Sequence, residues 1–199
     1  WPLQRGFQKF YGFLDAETSY FHPERLYEGN NPVEIDSYPA DHFATDDWTS
    51  RALRWMKEHH ASEPTHPFFM YMAFNAPHTP SQATEKYLKR FAHIADEQRR
   101  TYAAMVSALD DAVGAILAEL KAQDAEENTL IFFLSDNGGP LDRNASLNTP
   151  LSGEKGFMLE GGIRTPYLVQ WKSKLPAGKV YEKPVSSLDI SATALAAAN

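Results

Sequence analysis

The sequence predicts an α/β fold, a partial doubly wound and mostly parallel sheet flanked by helices. Two apolar runs of strand length, at residues 68–74 and 129–134, predict buried central strands. Between them, at residues 95–123, apolar side chains recur every three or four positions, which indicates a long amphipathic helix. Because a strand, helix, strand order forms a right-handed crossover, we expect the two strands to be parallel.

The other elements lie on either side of this unit. Residues 1–42 are rich in aromatic residues, glycine and proline, and predict ordered loop with short pieces of structure. Asp46 and Asp47 place negative charge at the start of a predicted helix over residues 45–60. A further strand is predicted at residues 167–171, and a last helix runs from the cap region at 187–189 to residue 198. A chain of 199 residues with 43% hydrophobic content can bury one sizeable core, so we expect one domain covering residues 1–199.

Composition excludes several classes of partner. The net charge of -7, with basic residues scattered along the chain, argues against nucleic acid and against an acidic membrane surface. No apolar stretch is long enough to span a bilayer, so we expect no membrane partner. The absence of cysteine excludes disulfides, zinc–thiolate sites and thiol catalysis. Because the chain begins at Trp1 and not at methionine, we expect it to be part of a longer protein.

Polar side chains follow both predicted central strands. Asp136 and Asn137 come directly after the run at 129–134, and the glycines behind them allow positive φ and close backbone approach. Their oxygens suit a hard cation such as Ca²⁺ or Mg²⁺, although a plain Asx turn would account for the same residues. His78 follows the run at 68–74 and fits either a catalytic or a packing role. Since parallel strands end at one edge of a sheet, where ligands bind, we expect these three side chains to share an edge.

A glycine-rich segment at residues 152–166 carries Lys155. A lysine between glycines can act as a point charge for a tetrahedral anion, or it can be an exposed side chain in a flexible turn. The glycine spacing does not match the phosphate-binding loop of nucleotide-binding proteins. Asp110 and Asp111 could pass for paired catalytic carboxylates, but on a packed helix we expect a solvated or locally bonded pair.

Taken in order, these motifs resemble the sulfatase family of the alkaline-phosphatase-like superfamily. The matching segments are residues 5–13 (RGFQKFYGF), 75–80 (NAPHTP), 135–139 (SDNGG), 148–156 (NTPLSGEKG), 160–166 (EGGIRTP) and 185–193. The resemblance runs nearly end to end and implies an alkaline-phosphatase-like core that is truncated at both ends. It also implies that Asp136 and Asn137 bind a divalent cation, usually Ca²⁺ with Mg²⁺ as the alternative. His78 and Lys155 would then grip the sulfate, with His78 also placed to protonate the leaving oxygen.

The chain departs from the family pattern where the nucleophile should be. Sulfatases use a formylglycine made from the first residue of a Cys/Ser-x-Pro-x-Arg motif, and that motif is absent from the sequence. The paired aspartates of the family's first strand are also absent. We therefore expect weak cation binding and no turnover by this chain alone. The missing N-terminal part should contribute strands to the same sheet, so its absence would expose an apolar edge. We expect that edge to self-associate or to pair with the missing part.

The expected function is hydrolysis of sulfate esters by the full-length protein, arylsulfatase-like, with a glycan sulfate or a sulfated small molecule as the substrate. Two alternatives stay open. A non-catalytic remnant that binds sulfated glycans would keep the anion grip without the nucleophile. A related phosphodiester or phosphonate hydrolase would share the scaffold but needs more His and Asp ligands for two metals. By resemblance, the compartment is periplasmic, secreted or lysosomal.

Overall fold

The structure, a computed structural model, describes residues 1–35 and 38–198. It divides into two compact units. The first contains Trp1–Glu119 and Arg143–Ala145, and the second contains Leu120–Asp142 and Ser146–Asn199. The mixture of helix and sheet agrees with the predicted α/β class.

The first unit combines a small sheet with two long helices. The strands β1 (Tyr11–Phe13), β2 (Leu26–Glu28) and β3 (Asn31–Pro32) form an antiparallel sheet in that order. A short 3-10 helix, Pro2–Arg5, precedes it. The helices are α1 (Ala44–Ser62), α2 (Glu85–Leu88), a 3-10 turn at Lys89–Phe91, and most of α3 (Glu97–Ala122).

Burial explains why the two long helices form where periodicity predicts them. In α1 the residues Trp48, Ala52 and Met56 lie on one stripe and are buried. In α3 Met105 is fully buried, and Ala104 and Ala108 beside it are equally inaccessible. The predictions of helices at 45–60 and 95–123 are confirmed to within two residues at each end.

The second unit contains one pair of strands and three helices. Strand β4 (Ile131–Leu134) pairs with β5 (Tyr167–Gln170) in antiparallel register, with Leu134 opposite Tyr167. The helices are α4 (Leu141–Asn144), of which only Leu141 and Asp142 belong to this unit, α5 (Glu160–Ile163) and α6 (Leu188–Ala198), and a 3-10 turn at Glu126–Asn128 leads into β4. The predicted strands at 129–134 and 167–171 and the last helix are confirmed, but β4 is not the buried central strand that was predicted: among the described residues it pairs only with β5, and Phe133 is 39% exposed.

The predicted strand at residues 68–74 is wrong for this structure, because those residues join no ladder. All strand pairs among the described residues are antiparallel, so the parallel crossover from 68–74 to β4 is not formed. An apolar run favours burial but does not specify which strand will lie beside it. Among the described residues, no segment pairs with residues 68–74. Phe69 and Tyr71 consequently remain 67% and 72% exposed.

None of the helices in the described part of the chain is long and apolar enough to cross a membrane.

Candidate functional site

Asp136 and Asn137 lie on a short, hydrogen-bonded turn at the end of β4. The Ser135 amide donates to the Pro166 carbonyl at 3.2 Å, and the Thr165 hydroxyl donates to the Ser135 carbonyl at 3.0 Å. The Ser135 hydroxyl then donates to the Asn137 carbonyl at 2.9 Å, which closes the turn. Asp136 is exposed and Asn137 half-buried. The strand end therefore presents a carboxylate and an amide from a fixed backbone.

The two glycines after this turn allow a very close approach of another backbone. A Cβ on Gly138 would lie 1.7 Å from the carbonyl oxygen of Gly161, and the Gly138 amide donates to the Gly162 carbonyl at 2.9 Å. A Cβ on Gly139 would lie 2.1 Å from the Ser146 hydroxyl. Neither Gly138 nor Gly139 has a positive φ. Close approach, one of the two predicted reasons for glycine here, is therefore the one that applies.

The side chain of Asn148 fastens the lysine-bearing segment to the same place. Its Oδ1 accepts from the Gly139 amide at 3.2 Å, and its Nδ2 donates to the Gly139 carbonyl at 2.9 Å and the Gly153 carbonyl at 3.1 Å. One side chain thus pairs with Gly139 as a neighbouring strand would. The sequence placed Asn148 in a motif without giving it a role. The side-chain amide of Asn148 could have indicated this role, since Asn side chains can replace backbone hydrogen-bond partners.

Lys155 lies on this fastened segment. Gly153 and Gly156 on either side of it have φ values of 90° and 89°, a conformation that glycine adopts without strain. Glu154 accepts from the Leu141 amide at 2.8 Å, which ties the turn to the start of α4. Lys155 itself is exposed. Within the second unit, the segment carrying Lys155 is therefore bonded to the residues that directly follow Asp136 and Asn137.

His78, in the first unit, lies on a turn after the irregular segment at 68–74. Its amide donates to the Asn75 carbonyl at 2.7 Å, and the Asn75 side chain accepts from Trp48 Nε1 at 3.0 Å. The Tyr20 hydroxyl donates to the His78 carbonyl at 3.0 Å. Burial raises the pKa of Tyr20, so the phenol stays a neutral donor. The core thus holds the His78 backbone on both sides.

The imidazole of His78 has a defined orientation. Its Nδ1 lies 2.7 Å from the Thr79 carbonyl oxygen, and because a carbonyl can only accept, Nδ1 carries the hydrogen. A carboxylate oxygen of Glu17 lies 3.7 Å from the same nitrogen. In the neutral imidazole, Nε2 is consequently the ring nitrogen without a hydrogen.

Asp111, one of the paired carboxylates on α3, takes a structural role. Asp111 forms two bonds with the Arg90 guanidinium, at 2.8 and 2.9 Å, which lower the pKa of its carboxyl group. The locally bonded interpretation of Asp110 and Asp111 is therefore correct for Asp111. Residues 68–74 join no ladder among the described residues, so His78 does not follow a strand and the predicted sheet edge shared by His78, Asp136 and Asn137 is not formed.

The comparison with protein families decides the identity of this chain. The family model described as Sulfatase matches residues 2–199. The chain belongs to the sulfatase family. Its members are generally metal-dependent sulfuric ester hydrolases.

Similar proteins include two curated sulfatases and a solved structure. The uncharacterized sulfatase YdeN of Escherichia coli (strain K12) is 36% identical over 200 residues, which cover 100% of this chain and 34% of YdeN. Human N-acetylgalactosamine-6-sulfatase is 36% identical over 215 residues, covering 99% of this chain and 39% of that enzyme. The crystal structure of Ps i-CgsB in complex with k-i-k-neocarrahexaose has a TM-score of 0.89 and 37% identity, covering 99% of this chain and 47% of that one. This sulfatase chain thus spans less than half the length of each.

The donor chemistry at the end of β4 fits part of a cation site. Asp136 and Asn137 offer hard oxygens, and Asn137 Nδ2 donates to the Gly138 carbonyl at 3.0 Å, so Oδ1 is the amide atom available for a cation. Among residues 1–35 and 38–198, however, no three His, Cys, Asp or Glu side chains group together as a metal site would require. Since Ca²⁺ takes roughly six to eight oxygen ligands, this pair alone would hold it weakly.

Proposed function

We propose that the full-length protein hydrolyses sulfate esters, and that these 199 residues supply part of its active site. The observation that carries the proposal is the bonded arrangement in the second unit. Asp136 and Asn137 leave β4 on a closed turn, and Asn148 bonds the next glycine to the segment carrying Lys155. The match to the sulfatase family over residues 2–199 supports the same chemistry.

Each candidate residue has a role that its chemistry suits. Asp136 and Asn137 would hold Ca²⁺, or Mg²⁺ in its place, and the bound cation would neutralise charge on the sulfate oxygens. The Lys155 ammonium would contact the sulfate as a compact point charge. His78 would donate its Nε2 proton to the leaving alcohol oxygen, on which negative charge develops as the S–O bond breaks.

The nucleophile must come from residues outside this sequence. Formylglycine requires a Cys/Ser-x-Pro-x-Arg motif, and the 199 residues contain no cysteine and no serine in that pattern. We therefore propose that the 199-residue chain alone has no sulfatase turnover. The alternative of a sulfated-glycan-binding protein without catalysis would apply if the full-length protein also lacked the motif.

Exposed apolar side chains support the proposal that another part of the protein packs against these residues. Phe69 and Tyr71 in the first unit, and Leu168 in the second, are each at least 60% exposed. We propose that the remaining part of the sulfatase domain covers them, since large exposed apolar surfaces mark interaction sites. Without that part, the 199-residue chain would self-associate.

The substrate class is a sulfated glycan. The names of two similar proteins support this class: one is an N-acetylgalactosamine-6-sulfatase, and the other was crystallised with k-i-k-neocarrahexaose. Like such enzymes, the protein would work outside the cytoplasm, in a periplasmic, secreted or lysosomal compartment.

The proposal is tested by comparing ester classes. The full-length protein is expected to hydrolyse 4-nitrophenyl sulfate faster than 4-nitrophenyl phosphate or bis(4-nitrophenyl) phosphate, because one Asp–Asn pair fits a single cation. The measurement is the initial rate of nitrophenol release, with the 199-residue chain as the inactive control. Faster release from either phosphate ester would favour the phosphodiester hydrolase alternative and contradict the proposal.

A further inference from the structure

A polar cleft of about 420 Å³ lies in the first unit, beside the turn that carries His78. Thr79, the residue after His78, lines it, and so does Glu17. The Thr79 hydroxyl donates to the Glu17 carboxylate at 3.3 Å, and that carboxylate lies 3.7 Å from His78 Nδ1. The cleft therefore adjoins the imidazole that we propose to protonate the leaving oxygen.

The lining of this cleft contains two guanidinium groups in different states. Arg25 lies at φ 51° and binds both oxygens of Asp15 at 3.2 Å, so its charge is already neutralised. The Arg143 side chain makes no hydrogen bond or ion pair within residues 1–35 and 38–198. One cation in the cleft thus lacks an anion.

The backbone around Arg143 is nevertheless held in place. The Arg143 carbonyl accepts from Gln98 Nε2 at 2.6 Å, and the Ala145 carbonyl accepts from Arg99 Nη1 at 2.8 Å. Both donors lie on α3. Bonds from a long helix therefore position the segment, while its cationic side chain stays available to a ligand.

We propose that this cleft is a subsite for the sugar next to the sulfated one, and that Arg143 binds an anionic group on that sugar. This inference rests on the proposed function. A guanidinium matches the oxygens of a sulfate or carboxylate in pairs, whereas the carboxylates of Glu17 and Glu24 and the hydroxyl of Ser19 suit sugar hydroxyls. The volume is in the usual range for ligand pockets, roughly 300–1,000 Å³. Arg143 would select substrates without touching the bond that breaks.

The test removes the Arg143 cation and measures binding and turnover separately. We expect Arg143→Ala, in the full-length protein, to weaken binding of k-i-k-neocarrahexaose by about tenfold, the loss expected for one charge-assisted contact. Arg143→Ala and wild type should bind the chemically desulfated oligosaccharide with equal affinity. They should also have equal kcat/KM for 4-nitrophenyl sulfate, which has no second sugar. Arg143→Lys should retain part of the affinity. Arg54→Ala removes an exposed arginine of α1 that does not line the cleft, and should leave both affinities unchanged.

The outcomes separate this inference from the proposed function. Equal affinity of wild type and Arg143→Ala for the sulfated oligosaccharide, or no binding by wild type, would overturn the subsite even if 4-nitrophenyl sulfate is hydrolysed. Loss of 4-nitrophenyl sulfate turnover in Arg143→Ala would also overturn it. Binding that depends on Arg143 in a protein that hydrolyses no sulfate ester would support the subsite and refute the proposed function.

Discussion

Replacing Lys155 by alanine in the full-length protein is expected to lower kcat/KM for 4-nitrophenyl sulfate by roughly a hundred- to a thousandfold, the usual loss for one group that stabilises transition-state charge. The fold should survive, because the side chains of Asn148 and Glu154 bond this segment to Gly139 and Leu141. The measurement is kcat/KM together with the thermal unfolding midpoint.

Lys179→Ala is the matched control for this substitution. Lys179 is also an exposed lysine next to a glycine of positive φ, but it lies on a different turn. Its replacement should leave kcat/KM unchanged. Equal losses in the two variants would indicate a general charge effect, and wild-type turnover in Lys155→Ala would remove Lys155 from the site.

Replacing Gly138 by alanine is expected to lower the free energy of unfolding of the second unit by about 3 kcal/mol or more, because overpacking and a lost backbone hydrogen bond add. The new Cβ would lie 1.7 Å from a backbone oxygen, that of Gly161, so no rotation of a side chain can relieve the clash. The bond from the Gly138 amide to the Gly162 carbonyl would break as the backbones separate. Urea unfolding followed by tryptophan fluorescence and far-UV circular dichroism measures the loss.

Gly114→Ala provides the control with the same chemical change. Gly114 lies inside α3, and a Cβ there would meet nothing within 4 Å. Alanine should therefore stabilise by roughly 0.5–1 kcal/mol through its higher helix propensity. If Gly138→Ala were as stable as wild type, the two backbones would not approach as closely as the structure shows.

Local patterns in the sequence were sufficient to predict the three longest helices, α1, α3 and α6, and the ends of β4 and β5, whereas the four-residue helices α2, α4 and α5 were not predicted. The three-and-four spacing in α3 follows from which side of a helix is buried, as at Met105 and Ala108. The polar residues after β4 could be predicted in the same way, because an apolar run that stops at Asp136 indicates a strand end. The family resemblance, given by the order of the motifs, was confirmed over residues 2–199.

Pairing and long-range contacts could not be predicted in this way. The run at 68–74 has the composition of a central strand, but the sequence of a strand does not specify which segment pairs with it. The antiparallel partner of β4 was missed for the same reason. Asn148 and Glu17 act through bonds to residues 9 and 62 positions away in sequence, and only the folded chain shows them.

The calcium dependence of sulfate-ester turnover tests most directly whether the end of β4 carries the metal ligands of a sulfate-ester hydrolase. In the full-length protein stripped with a chelator, 4-nitrophenyl sulfate turnover should return as Ca²⁺ is added. Asp136→Ala should need at least about a hundredfold more free Ca²⁺ for half-maximal activity, because a direct ligand is lost. Asp142→Ala, which removes a nearby exposed carboxylate at the start of α4, should match wild type. Identical calcium curves for wild type and Asp136→Ala would contradict the account.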